Sequence, residues 1–253
     1  MFTNAIVRKP GRSMVHGLTK TKLGKPDYEK AVIQHEAYVC ALKDCGLMVT
    51  VLEADENLPD STFVEDTSLL TPNCAILTRP GAKTRRGEIE QIRSTISEFY
   101  NNIEVINSPG TVEAGDIMMV EDHFYIGLSE RTNVNGAEQV IQILEKHGMS
   151  GSMIELKDVL HLKTGLAYLE NNNLVICSEF LSNQEFKKFN LIKIPEEESY
   201  AANCVWINGK VLIPKGYPKT KQNILNSGYT LIEVDVSEFQ KIDGGLSCLS
   251  LRF

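Results

Sequence analysis

A block of roughly fifty residues recurs five times along this chain, and that recurrence restricts its fold more than any other feature. In each block a helical segment leads into a short β-rich run, a polar turn and a hairpin-like pair of strands. The helical segments fall near residues 27–45, 88–100, 135–148, 182–189 and 218–227. In the second, Ile89, Ile92, Ile96 and Phe99 share one face; in the third, Ala137, Val140, Ile141 and Leu144 do. This is the i, i+3, i+4, i+7 spacing that buries one stripe of a helix. The β-rich runs that follow the helices are MVTVLEA, IEVINS, SMIELK, LIKI and TLIEVDV. Four hairpins are continuous in sequence: SLLTPNCAILT, IMMVEDHFYIGL, GLAYLENNNLVICS and CVWINGKVLIP. Their turns carry Pro-Asn, Glu-Asp, Asn-Asn-Asn and Asn-Gly, which suit tight connections.

The fifth hairpin has to come from the two chain ends, with LSCLSLRF pairing with FTNAIVRKP. Mixed helix-and-strand units at a repeating period predict one α/β domain over residues 1–253, a propeller-like ring of five blades with pseudo-fivefold repeats. In this reading the N- and C-terminal strands close the ring. An ordinary two-layer α/β fold with approximate internal symmetry is the alternative. The stretch GRSMVHGLTKTKLGKP at 11–26 fits neither helix nor strand, and its length marks it as a mobile functional loop.

The repeat also organises the polar chemistry. Just ahead of each hairpin stand Glu65 and Asp66, then Glu113 and Asp116, then His161, Asn203 and Cys248. From Asp66 to Cys248 these positions advance by 47, 48, 42 and 45 residues. In a closed ring, equivalent positions converge on the axis, so one pocket would gather carboxylates, an imidazole and a thiol. A thiol beside an imidazole is a nucleophile with a proton partner. Gly244 and Gly245 ahead of Cys248 suggest backbone that approaches a ligand closely. Buried carboxylates are costly unless a cation faces them. Two readings stay open for these: structural ion pairs with Arg79, Arg85 or Arg131, or a pocket for a planar guanidinium, which carboxylates hold bidentately. Arg79 and Arg131, each just past a hairpin, could alternatively bind a substrate carboxylate at the rim.

Composition narrows the partners. The chain is 42% hydrophobic, enough for a core without staples, and carries a formal net charge of −7. An acidic chain without basic clusters does not suit nucleic acid as main partner. No apolar run has the roughly 20 residues of a membrane-crossing helix, and the first residues lack a signal-peptide core. A soluble, cytoplasmic protein is therefore expected. Of the cysteines at 40, 45, 74, 177, 204 and 248, none forms a C-x-x-C pair, so neither zinc nor a disulfide framework is expected. Core packing is the default for the first five.

The segments FVEDT, TRPGAKTRRGE, VEAGD, SERTN, LHLKTG and the terminal DGGLSCLSLRF resemble the dimethylarginine dimethylaminohydrolase family of guanidino-modifying enzymes. The likeness runs from Val7 to Phe253, with DGGLSC and FVED its most specific parts. The resemblance implies a five-bladed α/β propeller, or pentein, and hydrolysis of Nω-methylated L-arginine to L-citrulline and dimethylamine or methylamine. It implies Cys248 as nucleophile, His161 as general acid/base and Glu113 as a guanidinium-binding carboxylate. It further implies Asp66 and Glu65 beside the guanidinium and Asp60 facing the substrate amino group. Arg85 and Arg131 would clamp the substrate carboxylate, with Leu18 in a flexible lid. The same resemblance implies a covalent S-alkylthiouronium on Cys248, no cofactor or metal, a small-molecule substrate, and neither nucleic acid nor membrane as partner, with a homodimer left open. The alternatives are a deiminase-like or amidinotransferase-like reaction on another guanidine, and a non-catalytic binding propeller. Deiminases usually carry an extra helical domain, for which 253 residues leave no room.

Overall fold

The computed structural model describes residues 1–253. Its strands form five separate three-stranded sheets. The chain enters with β1 (Asn4–Arg8), crosses through helix α1 (Tyr28–Asp44) and returns as β2 (Met48–Leu52), parallel to β1. Next come the antiparallel pair β3 (Ser68–Leu70) and β4 (Ala75–Leu77), helix α2 (Glu88–Ile96), and β5 (Ile103–Val105) parallel to β4. The same order recurs with β6 (Ile117–Val120), β7 (His123–Leu128), α3 (Val134–Lys146) and β8 (Ser150–Glu155). A one-turn helix, α4 (Leu162–Gly165), leads into β9 (Leu166–Tyr168), β10 (Asn173–Ile176) and β11 (Asn190–Lys193). The next set is β12 (Val205–Ile207), β13 (Lys210–Pro214), α5 (Pro218–Asn226) and β14 (Thr230–Val234). Finally β15 (Leu251–Arg252) runs antiparallel to β1, pairing Ala5 with Arg252 and Ile6 with Leu251. The chain ends thus supply the missing hairpin.

Local chemistry explains the element boundaries. The Asp27 carboxylate accepts from the Lys30 N–H at the start of α1, and Asn133 accepts from Gly136 at the start of α3, the N-cap interaction that satisfies an orphan donor. Pro218 opens α5, where its missing N–H costs nothing. The β12–β13 connection is Asn208-Gly209 with φ of 50° and 89°, the left-handed pair that a two-residue hairpin requires. Asn208 also accepts from Phe2 N and donates to Phe2 O, tying that turn to the amino-terminal strand.

One expected helix is absent. Residues 182–189 form two 3-10 turns, Ser178–Ser182 and Gln184–Phe186. Asn183 sits between them and accepts from Glu185 N, so its side chain restarts the chain locally where a continuous helix would need the backbone bond. In α2, Ile89, Ile92 and Ile96 are buried as the spacing predicts, but the helix ends at Ile96 and Phe99 is exposed.

The core is divided into five apolar clusters, each drawing on two consecutive sheets. Ile6 and Leu251 pack with Leu70 and Leu77. Leu69 and Ile76 pack with Ile117 and Phe124. Tyr125 packs with Leu166 and Leu174, and Val175 packs with Val211 and Ile213. The last joins Val205 and Leu212 to Ala5 and Val7. Burying a full aliphatic side chain contributes about 1.5–3 kcal/mol, so each boundary between sheets is held by several such terms. Cysteines 45, 74, 177 and 204 are buried, whereas Cys40 is exposed. Its position places it on the solvent stripe of α1, and the core reading does not hold for it.

Candidate active site

The segment that precedes each hairpin reaches the same cavity. Glu65 comes ahead of β3, Gly115 ahead of β6, His161 ahead of β9, Asn203 ahead of β12 and Cys248 ahead of β15, and all five line a cavity of about 50 Å³. The chain-end pairing of β15 with β1 brings Cys248 there, 183 residues away in sequence from Glu65.

His161 is the centre of the charge arrangement. Its Nδ1 lies 3.3 Å from Asp116 and its Nε2 lies 3.5 Å from Glu113. Asp66, Glu113 and His161 each bring a donor atom within 4.8 Å of the others. Burial opposes charging the ring, but Asp116, then Asp66 and Glu113, outweigh it and raise its pKa to about 9. Asp116 is held by three donors: Leu162 N, at 3.1 Å, to Oδ1, and the Ser129 and Thr132 hydroxyls, each at 2.7 Å, to Oδ2; its own N–H donates to Glu113 O.

Cys248 is half-buried and accepts from Gly245 N at 3.4 Å. Burial, and then the charges of Glu65 and Asp66, push its thiol up to about 12 against the opposing effects of Gly245 N–H and Lys163. The two glycines before it pack closely against neighbouring side chains. A Cβ on Gly244 would lie 2.2 Å from the Phe63 ring, and one on Gly245 would lie 2.4 Å from Asn203 Oδ1. They admit protein side chains against the thiol-bearing turn, and Gly245 also lines the cavity beside Cys248.

The acidic residues are already paired. Asp66 binds Arg85 NH1 at 2.5 Å and accepts from Gly115 N at 2.9 Å. Burial raises its pKa, but Arg85 and then His161 overcome that and hold it down at about 2. Glu113 receives Arg131 NH1 at 3.3 Å and the Ala82 N–H at 3.0 Å. Glu65 takes Lys163 at 2.6 Å, the Ser247 hydroxyl at 2.7 Å and Arg252 at 3.3 Å. The ion-pair alternative thus describes the protein without ligand. Arg85 is not at the rim. It is 5% exposed, and donates to both oxygens of Glu88 and to Phe63 O as well as to Asp66. Arg79 donates to Gly110 O, in a bridge of backbone away from the carboxylates. A metal ion at Asp66, Glu113 and His161 would meet the fixed charges of Arg85 and Arg131, which disfavours it.

The expected mobile loop is tethered. Arg12–His16 is a 3-10 turn. Leu18 N donates to Asp60 at 2.9 Å, Lys20 N donates to Asp243 at 2.6 Å, and the Thr19 and Thr21 hydroxyls donate to Lys241 O. Burial raises the Asp60 carboxyl, offset in part by Arg85 and the Leu18 amide. Leu18 is itself 39% exposed. Sequence reasoning passed over Lys163, Ser247, Arg252 and Glu88. Only the i+3 spacing of Arg85 and Glu88 was a usable signal; the others meet Glu65 from distant parts of the chain.

Fold and site together define an α/β chain of five repeated three-stranded sheets with a thiol and an imidazole at one cavity and carboxylates beside them. The family model described as N,N dimethylarginine dimethylhydrolase, eukaryotic, matches residues 19–250. The N(G),N(G)-dimethylarginine dimethylaminohydrolase of Pseudomonas aeruginosa is 61% identical over the full length of both chains. That of Streptomyces coelicolor is 31% identical, covering 98% of this chain and 96% of the other. The P. aeruginosa structure of a mutant complexed with citrulline superposes with a TM-score of 0.99 at 61% identity over all of both chains. The N-terminal domain of ArgZ, a cyanobacterial arginine dihydrolase, shares the fold with a TM-score of 0.88 at 19% identity, covering 98% of this chain and 96% of that one. The chain belongs to the dimethylarginine dimethylaminohydrolase family.

Proposed function

We propose that this protein hydrolyses Nω-methylated L-arginine to L-citrulline and dimethylamine or methylamine, as one domain whose five sheets close into a ring. The five two-sheet clusters, the last of which joins β12–β13 to β1, support the closure. The observation that carries the reaction is the convergence of His161, Cys248 and Glu65 on a single cavity, with the buried Asp66 and Glu113 clustered against the imidazole. It occurs in a chain 61% identical to a named dimethylarginine dimethylaminohydrolase.

The substrate guanidinium enters against Asp66, Glu113 and Glu65, where its charge and planar N–H groups match the carboxylates. Asp60 and the backbone of Leu18 meet the substrate amino group. Arg131 and the remaining NH1 hydrogen of Arg85 take its carboxylate. In the free protein thiol and imidazole both carry their protons. The incoming cation favours the thiolate, whose proton leaves to solvent, while the imidazolium stays charged between its carboxylates. Cys248 Sγ then attacks the guanidinium carbon, and His161 gives its proton to the departing amine, which cannot leave as an anion. The resulting S-alkylthiouronium is cationic and is held by the same carboxylates. Neutral His161 next takes a proton from water, the hydroxide adds to the carbon, the C–S bond breaks to release the thiolate, and the hydroxyl proton left on the product passes to solvent as citrulline forms.

The test is a citrulline-release assay on asymmetric dimethylarginine, monomethylarginine and arginine, with Cys248→Ser as control. Turnover of the methylated substrates that vanishes in the variant is expected. Preference for free arginine moves the assignment to deimination, and inactivity on every guanidine rejects the hydrolase reading.

A further inference from the structure

Below the catalytic cavity lies a second and larger one, of about 150 Å³, and the two share Glu65, Lys163, Asn203 and Ser247 as a common wall. Its sides are mainly apolar, with Trp206, Tyr168 and Phe2 among them, and Phe2 and Trp206 lie ring to ring at 6.3 Å. Its polar lining has more donors than acceptors. Glu65 is the shared carboxylate, and both its oxygens are occupied: Oε1 by Lys163 and Arg252, Oε2 by Ser247. The Lys163 ammonium has three N–H donors and makes one hydrogen bond, to Glu65. Ser68 is 2% exposed, lines the cavity, and its hydroxyl has no partner. Arg252 also places NH1 on Ser247 O, Ser250 O and Ser250 Oγ, but two cations on one carboxylate still leave one positive charge over in partly buried surroundings. The other acid of the lining, Glu170, belongs to the β9–β10 turn and is offset by the chain's amino terminus.

We propose that this second cavity is a binding site for a small carboxylate with an aromatic or branched hydrocarbon body, its head group on Arg252, Lys163 and Ser68 and its body against the apolar walls. The volume matches: about 150 Å³ accommodates a benzene-sized group. A carboxylate offers an acceptor to the open N–H groups of Lys163 and to the Ser68 hydroxyl and balances the extra positive charge, and the hydrocarbon covers apolar wall at about 25 cal/mol per Å². Because Glu65 and Ser247 belong to both walls, an occupant touches the turn that carries Cys248 from behind, without entering the substrate's cavity.

Trp206 is the one tryptophan of the chain and reports on the site directly. The experiment is a benzoate titration of the full-length protein, followed by the Trp206 indole N–H resonance and repeated with saturating citrulline. Saturable shifts that persist with citrulline are expected. Arg252→Met should weaken benzoate by at least about tenfold, the loss of one charge-assisted hydrogen bond. Ser68→Ala removes only a hydroxyl, so it tests the same head-group contact in a protein that keeps its fold, and it should weaken benzoate by a few-fold. Three results overturn the proposal: no saturable shift in the folded protein, displacement of benzoate by citrulline, or unchanged affinity in both variants. A protein that binds benzoate this way but releases no citrulline from methylarginine would overturn the proposed reaction and leave this site standing.

Discussion

Asp116 Oδ1 lies 3.3 Å from Nδ1 of His161, within ion-pair range but not aligned as a directed hydrogen bond, and both groups are buried. This contact is the first of the charges that keep the imidazole protonated against the cost of burial. It also fixes which nitrogen faces the reaction, because Nε2 is left toward Glu113.

Asp116→Asn removes that charge while keeping the size of the side chain. The His161 pKa should fall by at least about one unit, equivalent to about 1.4 kcal/mol. The His161 resonance in a proton NMR titration reads the shift directly. The basic limb of the kcat–pH profile should move toward acid with it. A wild-type titration midpoint in the variant would remove Asp116 from this role.

His161 also links stability to pH. Its folded-state pKa of about 9 lies above the ordinary value of 6.5. The stabilisation is fully present below pH 6.5 and is lost as pH rises through 9, with an upper size of about 3 kcal/mol. Thermal unfolding of wild type and His161→Gly should therefore differ most at and below about pH 6.5 and converge toward pH 9.5.

Cys248 should alkylate slowly in the free protein. With its thiol pushed up to about 12, the thiolate fraction grows about tenfold per pH unit across the accessible range. Iodoacetamide labelling of the Cys248 peptide, followed by mass spectrometry, should rise with pH from 7 to 10 without a plateau. A plateau near pH 8 would mean that the free site already holds a thiolate.

His35 gives the opposite pH signature from His161. It is 3% exposed with Nε2 unpartnered. Burial, aided by Lys9 and opposed by its bond to the Arg8 carbonyl, lowers its pKa to about 4. The folded state keeps this ring neutral while the unfolded chain protonates it below 6.5. Stability is therefore lost as pH falls from 6.5 to 4, by up to about 3 kcal/mol. Between pH 7 and 4.5, His35→Gln should lose less stability to acid than wild type, as read from urea unfolding midpoints.

The helical stripes, the β-rich runs and the Asn-Gly turn were legible because each is a short-range pattern: a period of 3.6 or 2, or a residue that tolerates positive φ. Residues 182–189 were not, since the competition between an Asn183 side chain and the helix backbone is settled by geometry that composition does not record. Cys40 was misread for a related reason: which side of α1 faces water depends on what packs there.

By itself the sequence determined the five-unit order, the strands that each unit contributes, and the kinds of group placed ahead of each hairpin. Those are properties of local spacing. The tertiary structure alone decided which carboxylate meets which cation: Arg85 on Asp66 and Glu88, Arg131 on Glu113, and Lys163 with Arg252 on Glu65. Coulomb energy depends on distance and dielectric surroundings, and partners as far apart in the chain as Glu65 and Arg252 acquire both only when β15 folds back onto β1.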